Sequence, residues 1–392
     1  MSNEAIVICG GGIAGMACAL GLKKAGLNAS ILAPAYQPSV LKPEQYHPRV
    51  YALSTASQRF LAQLGVWGLM RTERITPVKG MEIYGDGDGF MQLDAWQNAE
   101  PNLTWIVESG EIERALYQAL QVYNLPWHAD FFAGFNAAGI QTKSGKELPA
   151  DLIIGADGAR SMVRAQAHIE HHCQPYKHSG VVAHLQAELP HQNIAYQWFS
   201  SDAVLALLPL PDSPEGPQVS MVWSVEEAQA HDFMALDAPA QAAYLQSLLG
   251  ALTQHRLGQL RLGSQPFAFP LTLERSAMIA PRIALVGDAA HRVHPLAGQG
   301  LNLGLGDVEE LLRVLTDKPS YQSVGELRVL ARYRRARAEP ILAMRWVTHG
   351  LHQLFKLPGA PAAFVRNVGM NVVDKVPFIK RRLIGEAAGK SR

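Results

Sequence analysis

A glycine-rich hexapeptide near the start of the chain has the spacing needed to bind a pyrophosphate. Gly10, Gly12 and Gly15 occupy the glycine positions of a G-x-G-x-x-G pattern, with Ile13 and Ala14 between the last two. The first glycine of such a pattern permits a tight turn, the second lets the backbone approach phosphates, and the third lets a helix pack closely on a strand. The following helix would point unpaired N–H groups at the anion. The pattern predicts a dinucleotide site, against the plainer alternative of a glycine turn.

Two carboxylates follow buried apolar runs and could bind sugar hydroxyls. Asp157 begins the segment 157–164, and Asp288 lies in the segment 287–291. The second segment leads into a glycine-rich stretch, residues 295–302, that could aim backbone N–H groups at an electron-rich ring. Either motif alone could be a structural turn. Together with the glycine-rich hexapeptide, they predict a cleft for a nucleotide cofactor.

One residue that such a site usually contains is missing. The acidic side chain that holds the adenosine ribose should end the second strand, but Ala33 stands there and is followed by Pro34. The lost contact is worth about 1.5–3 kcal/mol, the scale of a hydrogen bond to a charged group. Either the cofactor binds weakly and is easily lost on purification, or a side chain distant in sequence replaces the contact.

The elements that must position these residues alternate in the order of a nucleotide-binding domain. Continuous apolar runs predict buried parallel strands at 5–9, 29–32, 152–154 and 283–286. Apolar residues at helical spacing predict helices at 13–25, 54–64, 109–123, within 226–260, and from about 302 onward. Between these lies a different block, residues 176–225, whose short runs broken by prolines are typical of an antiparallel sheet.

This order predicts one discontinuous nucleotide-binding domain that carries an inserted substrate domain. The nucleotide-binding domain comprises 1–70, 101–172 and 268–330, the substrate domain 71–100 and 173–267, and a helical segment 331–392 ends the chain.

Composition excludes several other classes of protein. The chain has 392 residues, of which 48% are apolar, so it can form two sizeable cores. The formal net charge of +1 gives no overall field to hold nucleic acid. Three cysteines without metal or disulfide spacing predict no metal site and a reduced cytoplasmic protein. No signal peptide and no apolar run of membrane-spanning length is evident, so we expect any membrane contact to be peripheral.

In order and spacing, the three motifs resemble the group A FAD-dependent aromatic hydroxylases. Within that group the chain is similar to the ubiquinone-biosynthesis hydroxylases, of the 2-octaprenylphenol or benzoquinol type. The segments that carry the resemblance are 49–54, 64–67, 106–108, 207–210, 222–223 and 269–307. The resemblance covers most of residues 5–340, and its most specific part is the stretch from His294 to Leu303.

The resemblance implies an α/β protein with a Rossmann-like FAD-binding domain of the glutathione-reductase type, an inserted and mostly antiparallel substrate domain, and C-terminal helices. Carried over position by position, it implies contacts to the pyrophosphate from Gly10, Gly12, Ile13, Ala14 and Gly15, and a contact from Arg49 near the FAD phosphates and ribityl chain. Asp157 lies in the motif that relatives use near both FAD and NAD(P)H, Asp288 should bond the ribityl chain, and Ser109 is a further candidate cofactor contact. The residues expected beside the isoalloxazine are Pro295, Gly298, Gln299, Gly300, Leu301 and Asn302. Ser109 stands where relatives commonly carry Asn, which, with Ala33, bears on how tightly FAD binds.

The resemblance also implies the chemistry. NAD(P)H reduces FAD, the flavin takes up O2 as a C4a-hydroperoxide, and the ring of a hydrophobic polyprenyl phenol or quinol attacks it. The protein must exclude water and orient the ring. Leu205–Leu210 and Val219–Trp223 are candidate walls of the apolar pocket, and ordinary sheet core is an equal alternative for each residue. The sequence assigns no general base: His291 and His294 flank the flavin loop and are the candidates to test, although a structural role is commoner for such histidines.

Alternative functions on the same scaffold are a prenyl reductase, an epoxidase or a halogenase, although the Trp-x-Trp-x-Ile-Pro segment of halogenases is absent. A flavin-poor accessory subunit of a quinone-biosynthesis complex is a third possibility, and Ala33 and Ser109 support it. Residues 341–385 mix apolar residues with the basic Lys375, Lys380, Arg381 and Arg382. They predict either a packed terminal helix or a surface that contacts lipid at the inner membrane or on a lipid carrier.

Overall fold

The computed structural model describes residues 4–38, 42, 45–85, 89–200, 203–292 and 299–356. The strands within these residues are β1 (Ala5–Cys9), β2 (Asn28–Ala33), β3 (Val50–Leu53), β4 (Ile75–Val78), β5 (Gly80–Tyr84), β6 (Phe90–Asp94), β7 (Thr104–Glu108), β8 (Trp127–Ala129), β9 (Phe132–Phe135), β10 (Gly139–Thr142), β11 (Glu147–Pro149), β12 (Leu152–Gly155), β13 (His171–Ala187), β14 (Ile194–Phe199), β15 (Val204–Pro209), β16 (Gln218–Glu226), β17 (Leu260–Leu262), β18 (Phe267–Ser276), β19 (Ile279–Ala280), β20 (Ile283–Leu285) and β21 (His291–Arg292). The helices are α1 (Ile13–Lys24), α2 (Thr55–Gln63), α3 (Ser109–Val122), α4 (Met162–Gln166), α5 (Glu227–Met234), α6 (Ala238–Thr253), α7 (Gln299–Thr316) and α8 (Leu327–Lys356).

The first sheet carries the nucleotide-type strands. Its order is β19-β20-β12-β1-β2-β8, and the strands from β20 to β8 are parallel. β1 is apolar and buried, as a central parallel strand covered on both faces must be. Residues of α1, α3 and α7 share its hydrophobic core with Phe132, Ile140 and Leu148 of the β9–β11 meander. The predicted α/β fold class is confirmed.

The second sheet is large and mostly antiparallel. Its strands run in the order β21-β18-β13-β16-β15-β14-β5-β6, with β17 paired to β13. The core on one face contains Phe233 of α5 and Leu245 of α6. On the opposite face, Ala195 and Leu208 share a second cluster with Ala52 of β3 and Ile106 of β7. A small sheet, β3-β7-β4, therefore joins the large sheet to the rest of the protein.

These strands support the domain division, which we retain as a proposal. The large sheet takes its strands from residues 80–94, 171–226, 260–276 and 291–292. Its main part is one insertion between β12 and β20 of the parallel sheet. β4 comes just before the strands β5 and β6 of the large sheet, but it pairs with β7 in the small sheet.

Several helix boundaries follow from local chemistry that the sequence displays. Ser54 caps α2, because its Oγ accepts a hydrogen bond from the backbone N–H of Ser57 at 3.2 Å. α1 ends before Gly26, which has a φ of +76°. Both ends lie within one or two residues of the predicted ones. Within the described residues, no helix combines the length and the apolar character needed to cross a bilayer.

Candidate functional site

Three loops meet at one edge of the parallel sheet. β12 lies between β1 and β20, with Cys9 opposite Gly155 and Gly155 opposite Leu285. Because parallel strands end at the same edge, the loops that follow them begin side by side. These loops contain the glycine-rich hexapeptide, Asp157 and Asp288. The structure thus brings together the three motifs that lie far apart in sequence.

The glycine-rich loop is shaped by close backbone contacts. Gly10 has a φ of +127°, and a Cβ there would lie 2.2 Å from the carbonyl oxygen of Ala156. A Cβ on Gly15 would lie 2.1 Å from the carbonyl oxygen of Gly10. Gly12 differs, because apart from its chain neighbours no heavy atom of the described residues lies within 4 Å of its Cβ position. Gly10 and Gly15 therefore hold the loop in close backbone contact, while at Gly12 the described residues leave space.

The start of α1 presents donors to that space. Gly12 is the N-cap residue, no side chain caps the helix, and its first turn carries no acidic residue. The first N–H groups of a helix have no partner within the helix, and the helix dipole adds partial positive charge. Ile13 and Ala14 form the first helical positions. This geometry suits a phosphate group.

Asp157 organises the second loop with one of its two carboxylate oxygens. Its Oδ2 accepts hydrogen bonds from the backbone N–H groups of Met162 at 2.7 Å and Val163 at 3.1 Å. Its Oδ1 is buried and has no hydrogen-bond partner among the described residues. A buried oxygen without a partner is costly, so this atom is a candidate acceptor for a ligand or a bound water.

Arg164 joins the second loop to the third. Its side chain is buried, and its guanidinium donates to the carbonyl oxygens of Ala159 at 2.6 Å and Ala289 at 2.8 Å. Gly287, with a φ of +61°, lies beside Ala14 of α1, since a Cβ on it would be 3.4 Å from that of Ala14. The carboxylate of Asp288 is exposed, and no hydrogen bond joins it to a described residue. It is therefore available to a ligand in the cleft.

A buried ionic cluster fixes the third loop from behind. Asp307 is fully buried, and one of its oxygens accepts a hydrogen bond from the backbone N–H of Gly287 at 3.0 Å and lies 2.7 Å from Nε2 of His291. Its other oxygen accepts a hydrogen bond from Nε of Arg337 at 2.7 Å. Burial alone would raise the pKa of Asp307, but His291 and Arg337 outweigh it and hold that pKa below its ordinary value.

His291, one of the two catalytic candidates, is therefore engaged in this cluster. It is 5% exposed, and its Nε2 is committed to Asp307. We interpret His291 as a positioning residue of the loop that carries Asp288. The other candidate, His294, lies outside the described residues, as do Pro295 and Gly298.

Arg49 and Ser109 lie together beside the cleft. Arg49 is exposed, its guanidinium donates to the hydroxyl of Tyr51 at 3.3 Å, and its carbonyl accepts from the N–H of Ser109 at 2.9 Å. The Oγ of Ser109 is 2.8 Å from Nδ1 of His47. Burial raises the pKa of Tyr51, Arg49 opposes this, and the charge of Asp288 adds to it. The charges of Arg49 and Asp288 thus act on one tyrosine.

The start of α7 carries the remaining predicted contacts. Gln299, Gly300, Leu301 and Asn302 are all helical, and for Gln299 the backbone alone is described. The side chain of Asn302 accepts from the N–H of Ser54 at 3.0 Å and donates to the carbonyl of Ala52 at 2.8 Å. It therefore ties this helix to the small sheet rather than facing solvent.

The large sheet presents alternate residues of its strands toward the small sheet. Residues on the other face, which pack toward α5 and α6, include five of the eleven predicted pocket-wall residues: Leu205, Leu207, Val219, Met221 and Trp223. Their neighbours point the other way, and Leu208, Leu210 and Val222 belong to the cluster shared with the small sheet. Val182 and Val222 are opposite each other in register and only half buried. This second face is the better candidate for a pocket wall.

Tyr196 and His184 are titratable residues on the strands of the large sheet. Tyr196 packs in the core toward α5 and α6, beneath the guanidinium of Arg256 at 5.6 Å, so it points away from the small sheet. His184 lies on the opposite face, and its Nε2 donates to the carbonyl of His47 at 2.9 Å. Burial lowers the pKa of His184, which keeps its ring neutral.

The sequence analysis did not identify the polar residues that connect the loops and helices around the cleft. Glu108 accepts a hydrogen bond from the backbone N–H of His47 at 2.5 Å and from Arg74 at 2.7 Å. Asp307 and Arg337 were also missed, because each lies on a helix whose pattern predicts only packing. The buried charge of Asp307, five residues after Asn302 in an apolar stretch, is the one signal that could have marked it. Among the described residues, no group of three or more His, Cys, Asp and Glu side chains could hold a metal ion.

Comparisons with known proteins agree with one another. Residues 3–344 match the family model described as FAD binding domain. The chain is 33% identical over 406 aligned residues to the 3-demethoxyubiquinol 3-hydroxylase of Escherichia coli K12, covering 99% of this chain and 100% of that protein. It is 30% identical to the mitochondrial ubiquinone biosynthesis monooxygenase COQ6 of Danio rerio, covering 98% and 89%.

Solved structures share the fold. The p-nitrophenol 4-monooxygenase PnpA of Pseudomonas putida DLL-E4 superposes with a TM-score of 0.78 at 18% identity, covering 99% of both chains. The probable FAD-dependent monooxygenase pqsL of Pseudomonas aeruginosa does so with a TM-score of 0.74 at 18% identity, covering 95% of this chain and 100% of that one. At this level of identity the likeness concerns the fold.

Proposed function

The chain belongs to the FAD binding domain family, and from this premise we propose that it hydroxylates the aromatic ring of a polyprenylated phenol or quinol in ubiquinone biosynthesis. It is an FAD-dependent monooxygenase that uses O2, with NAD(P)H as the reductant typical of the family. The observation that carries the proposal is the meeting of three cofactor loops at one sheet edge. The half-buried apolar residues of the large sheet, on the face toward the small sheet, favour a hydrophobic substrate.

The residues of the cleft fit an FAD. The open space at Gly12 and the uncapped start of α1 would receive the pyrophosphate, and the exposed carboxylate of Asp288 would accept hydrogen bonds from ribityl hydroxyls. The buried Oδ1 of Asp157 is a further free acceptor. Arg49 supplies positive charge near the phosphates. When bound and reduced, FAD supplies the oxygen-activating chemistry that the side chains lack.

The protein's own contribution is to orient the aromatic ring and keep water away. The face that contains Leu208 and Val222 offers apolar surface to a ring, and the small sheet closes it from one side. Exclusion of water strengthens the polar contacts that remain and limits side reactions. Orientation of the ring relative to the cofactor also accelerates the reaction, since a fixed geometry removes much of the entropic barrier.

The proposal is tested by labelling. The purified protein, supplied with FAD, NADPH and a short-tailed phenol or quinol, should insert one 18O atom from 18O2 into the ring and none from labelled water. A product reduced without O2 would indicate a prenyl reductase. A protein that never takes up FAD would support the accessory subunit. Deletion of the gene in its host should cause a quinone precursor to accumulate, and its mass would identify the substrate.

Substitution of Val222 tests the proposed pocket wall. Val222→Asp should lower kcat/KM for an apolar phenol at least about tenfold, because a carboxylate would meet the ring where apolar contact is needed. Val222→Thr, nearly the same in shape, is the matched control and should stay within about threefold. The dissociation constant for FAD should change little in either variant. Equal kcat/KM in both variants would place the substrate elsewhere.

We further propose that the protein works in the cytoplasm and contacts a membrane or lipid carrier that holds the prenyl tail. This rests on the chemistry of the substrate and on the basic residues Lys375, Lys380, Arg381 and Arg382, which lie outside the described residues. The full-length protein should float with vesicles containing anionic lipid. Changing these four residues to Glu should abolish flotation, and unchanged flotation would contradict the role of this segment. Partners in a biosynthetic complex are a further proposal that co-purification would test.

A further inference from the structure

The end of β2 offers no carboxylate to a ribose. Ala33 is 3% exposed, and its carbonyl oxygen accepts a hydrogen bond from Nε1 of Trp127 at 3.1 Å. The same indole N–H lies 3.2 Å from the carbonyl oxygen of Pro34. Trp127 therefore covers the strand end where this type of site usually carries its acidic residue. Any replacement must come from another element.

A row of aromatic rings leads from that strand end to α3. The ring of Tyr117, on α3, meets Trp127 edge to face at 5.9 Å between centroids. Tyr36, three residues after Ala33, stacks on Tyr117 at 4.4 Å. α3 thus borders the region that follows β2, and residues on the same side of α3 as Tyr117 are near it.

Glu113 lies one helical turn before Tyr117, on that side of α3. Its charge acts on Tyr36, whose pKa is raised first by burial and then by this carboxylate. Ser109 lies one helical turn before Glu113 on the same side of α3, and its backbone N–H donates to the carbonyl oxygen of Arg49 at 2.9 Å. His47 and Arg49 oppose the effect of burial on the pKa of Glu113. Glu113 therefore lies one turn from the residue that contacts Arg49 and one turn from the ring that contacts Tyr36.

Three carboxylates lie at or near the start of α3, and Glu113 is the one without a hydrogen-bond or ion-pair partner in the part of the chain that the structure describes. Glu108 bonds to His47 and Arg74, and Glu111 bonds to Arg71 and Arg114. Glu113 is partly buried, yet no hydrogen bond or ion pair joins it to any residue that the structure describes. Burial raises its pKa, which is the mark of a carboxylate without sufficient compensation. A partly desolvated acceptor of this kind is completed by a ligand that donates hydrogen bonds.

We propose that Glu113 accepts hydrogen bonds from the hydroxyls of the adenosine ribose of FAD, in the role that a carboxylate at position 33 would have. The inference rests on FAD binding as given under the proposed function. In FAD the ribose joins the adenine to the pyrophosphate. Successive turns of α3 repeat this order: Tyr117 stacks on Tyr36 after the end of β2, Glu113 comes next, and Ser109 then contacts Arg49, which we propose lies near the phosphates.

The sign of the effect of Glu113→Gln separates this role from a merely electrostatic one. If Glu113 touches no ribose, its charge only repels the pyrophosphate, and neutralising it should leave FAD affinity equal or tighter. If Glu113 holds the ribose, Glu113→Gln should raise the FAD dissociation constant about 10- to 100-fold, the range expected for hydrogen bonds to a charged group. Flavin fluorescence quenching measures this without turnover.

A nucleotide without ribose hydroxyls makes the test specific. ADP should displace FAD from the unaltered protein at least about tenfold more effectively than 2′,3′-dideoxy-ADP, and Glu113→Gln should remove that preference. Glu147→Gln, an exposed glutamate on β11, is the matched control and should retain it. A Glu113→Gln protein that binds FAD normally, or that still prefers ADP, overturns the inference. An unaltered protein that never binds FAD overturns the proposed function instead.

Discussion

Asp307→Asn is expected to lower the free energy of unfolding by about 3–5 kcal/mol, the cost of removing one partner from a buried ion pair. The carboxylate is fully buried and accepts hydrogen bonds from the side chains of His291 and Arg337 and from the backbone N–H of Gly287. An amide of the same shape cannot accept from all three donors. Urea unfolding of the FAD-free protein measures the loss, and FAD affinity should fall because Gly287 and Asp288 lose their support.

Glu310→Gln, one turn later on the same helix, is the matched control. Glu310 pairs with Arg313, whose side chain is 54% exposed, so the pair is screened by solvent and its loss should cost less than about 1 kcal/mol. If both variants lost the same small amount, the cluster around Asp307 would not anchor the loop. If only Asp307→Asn lost stability but FAD affinity were unchanged, the cluster would stabilise the fold without positioning Asp288.

The same cluster predicts a pH dependence. The folded-state pKa of Asp307 lies below its ordinary value, so the carboxylate contributes stability that is fully present above about pH 4, the ordinary aspartate range. That contribution is lost as the pH falls through the lowered folded-state pKa. Unfolding of the unaltered protein should therefore become easier at acid pH, and part of this dependence should disappear in Asp307→Asn. An identical acid dependence in both proteins would contradict the lowered pKa.

The sequence was sufficient for the parts of the fold whose signals are local. The apolar run Ala5–Cys9, the glycine turn and the helix to Lys24 occur almost as predicted, because burial on both faces and glycine spacing leave few alternatives. Parallel strands that end at one edge then place the loops after β1, β12 and β20 together. The prediction of a shared cleft rested on the three motifs, and the topology of the parallel strands accounts for their meeting.

What the sequence could not give depends on pairing between distant segments. The ionic cluster joins His291, Asp307 and Arg337 across three elements, and no local pattern connects Arg337 on α8 to a loop near residue 287. The pocket walls show the same limit. Alternation divides the strands β15 and β16 into two faces, but the packing of α5 and α6 decides which face is covered. Position 33 could likewise be seen to lack a carboxylate, whereas the approach of Glu113 required the folded chain.

Gly10→Ala and Gly12→Ala should separate folding from cofactor binding within one loop. A methyl group at position 10 would lie 2.2 Å from the carbonyl oxygen of Ala156, in the loop that follows β12, on a backbone with a φ of +127°. Strain of this kind costs about 1–3 kcal/mol, and overpacking against backbone adds a similar amount. Gly10→Ala should therefore be destabilised by about 3 kcal/mol or more, and FAD binding should fail with the fold.

Gly12→Ala should behave in the opposite way. Its φ of −79° suits any residue, and apart from its chain neighbours no described residue lies within 4 Å of the added methyl group, so the FAD-free protein should be as stable as the unaltered one or slightly more stable. The methyl group would instead occupy the space that the pyrophosphate needs, and the FAD dissociation constant should rise about 100-fold as contacts to a charged group are lost. Urea unfolding and flavin fluorescence, measured on both variants, decide the matter. Tight FAD binding by Gly12→Ala would mean that the cofactor does not approach this loop. The added methyl group makes no new contact to FAD that could offset a lost phosphate contact.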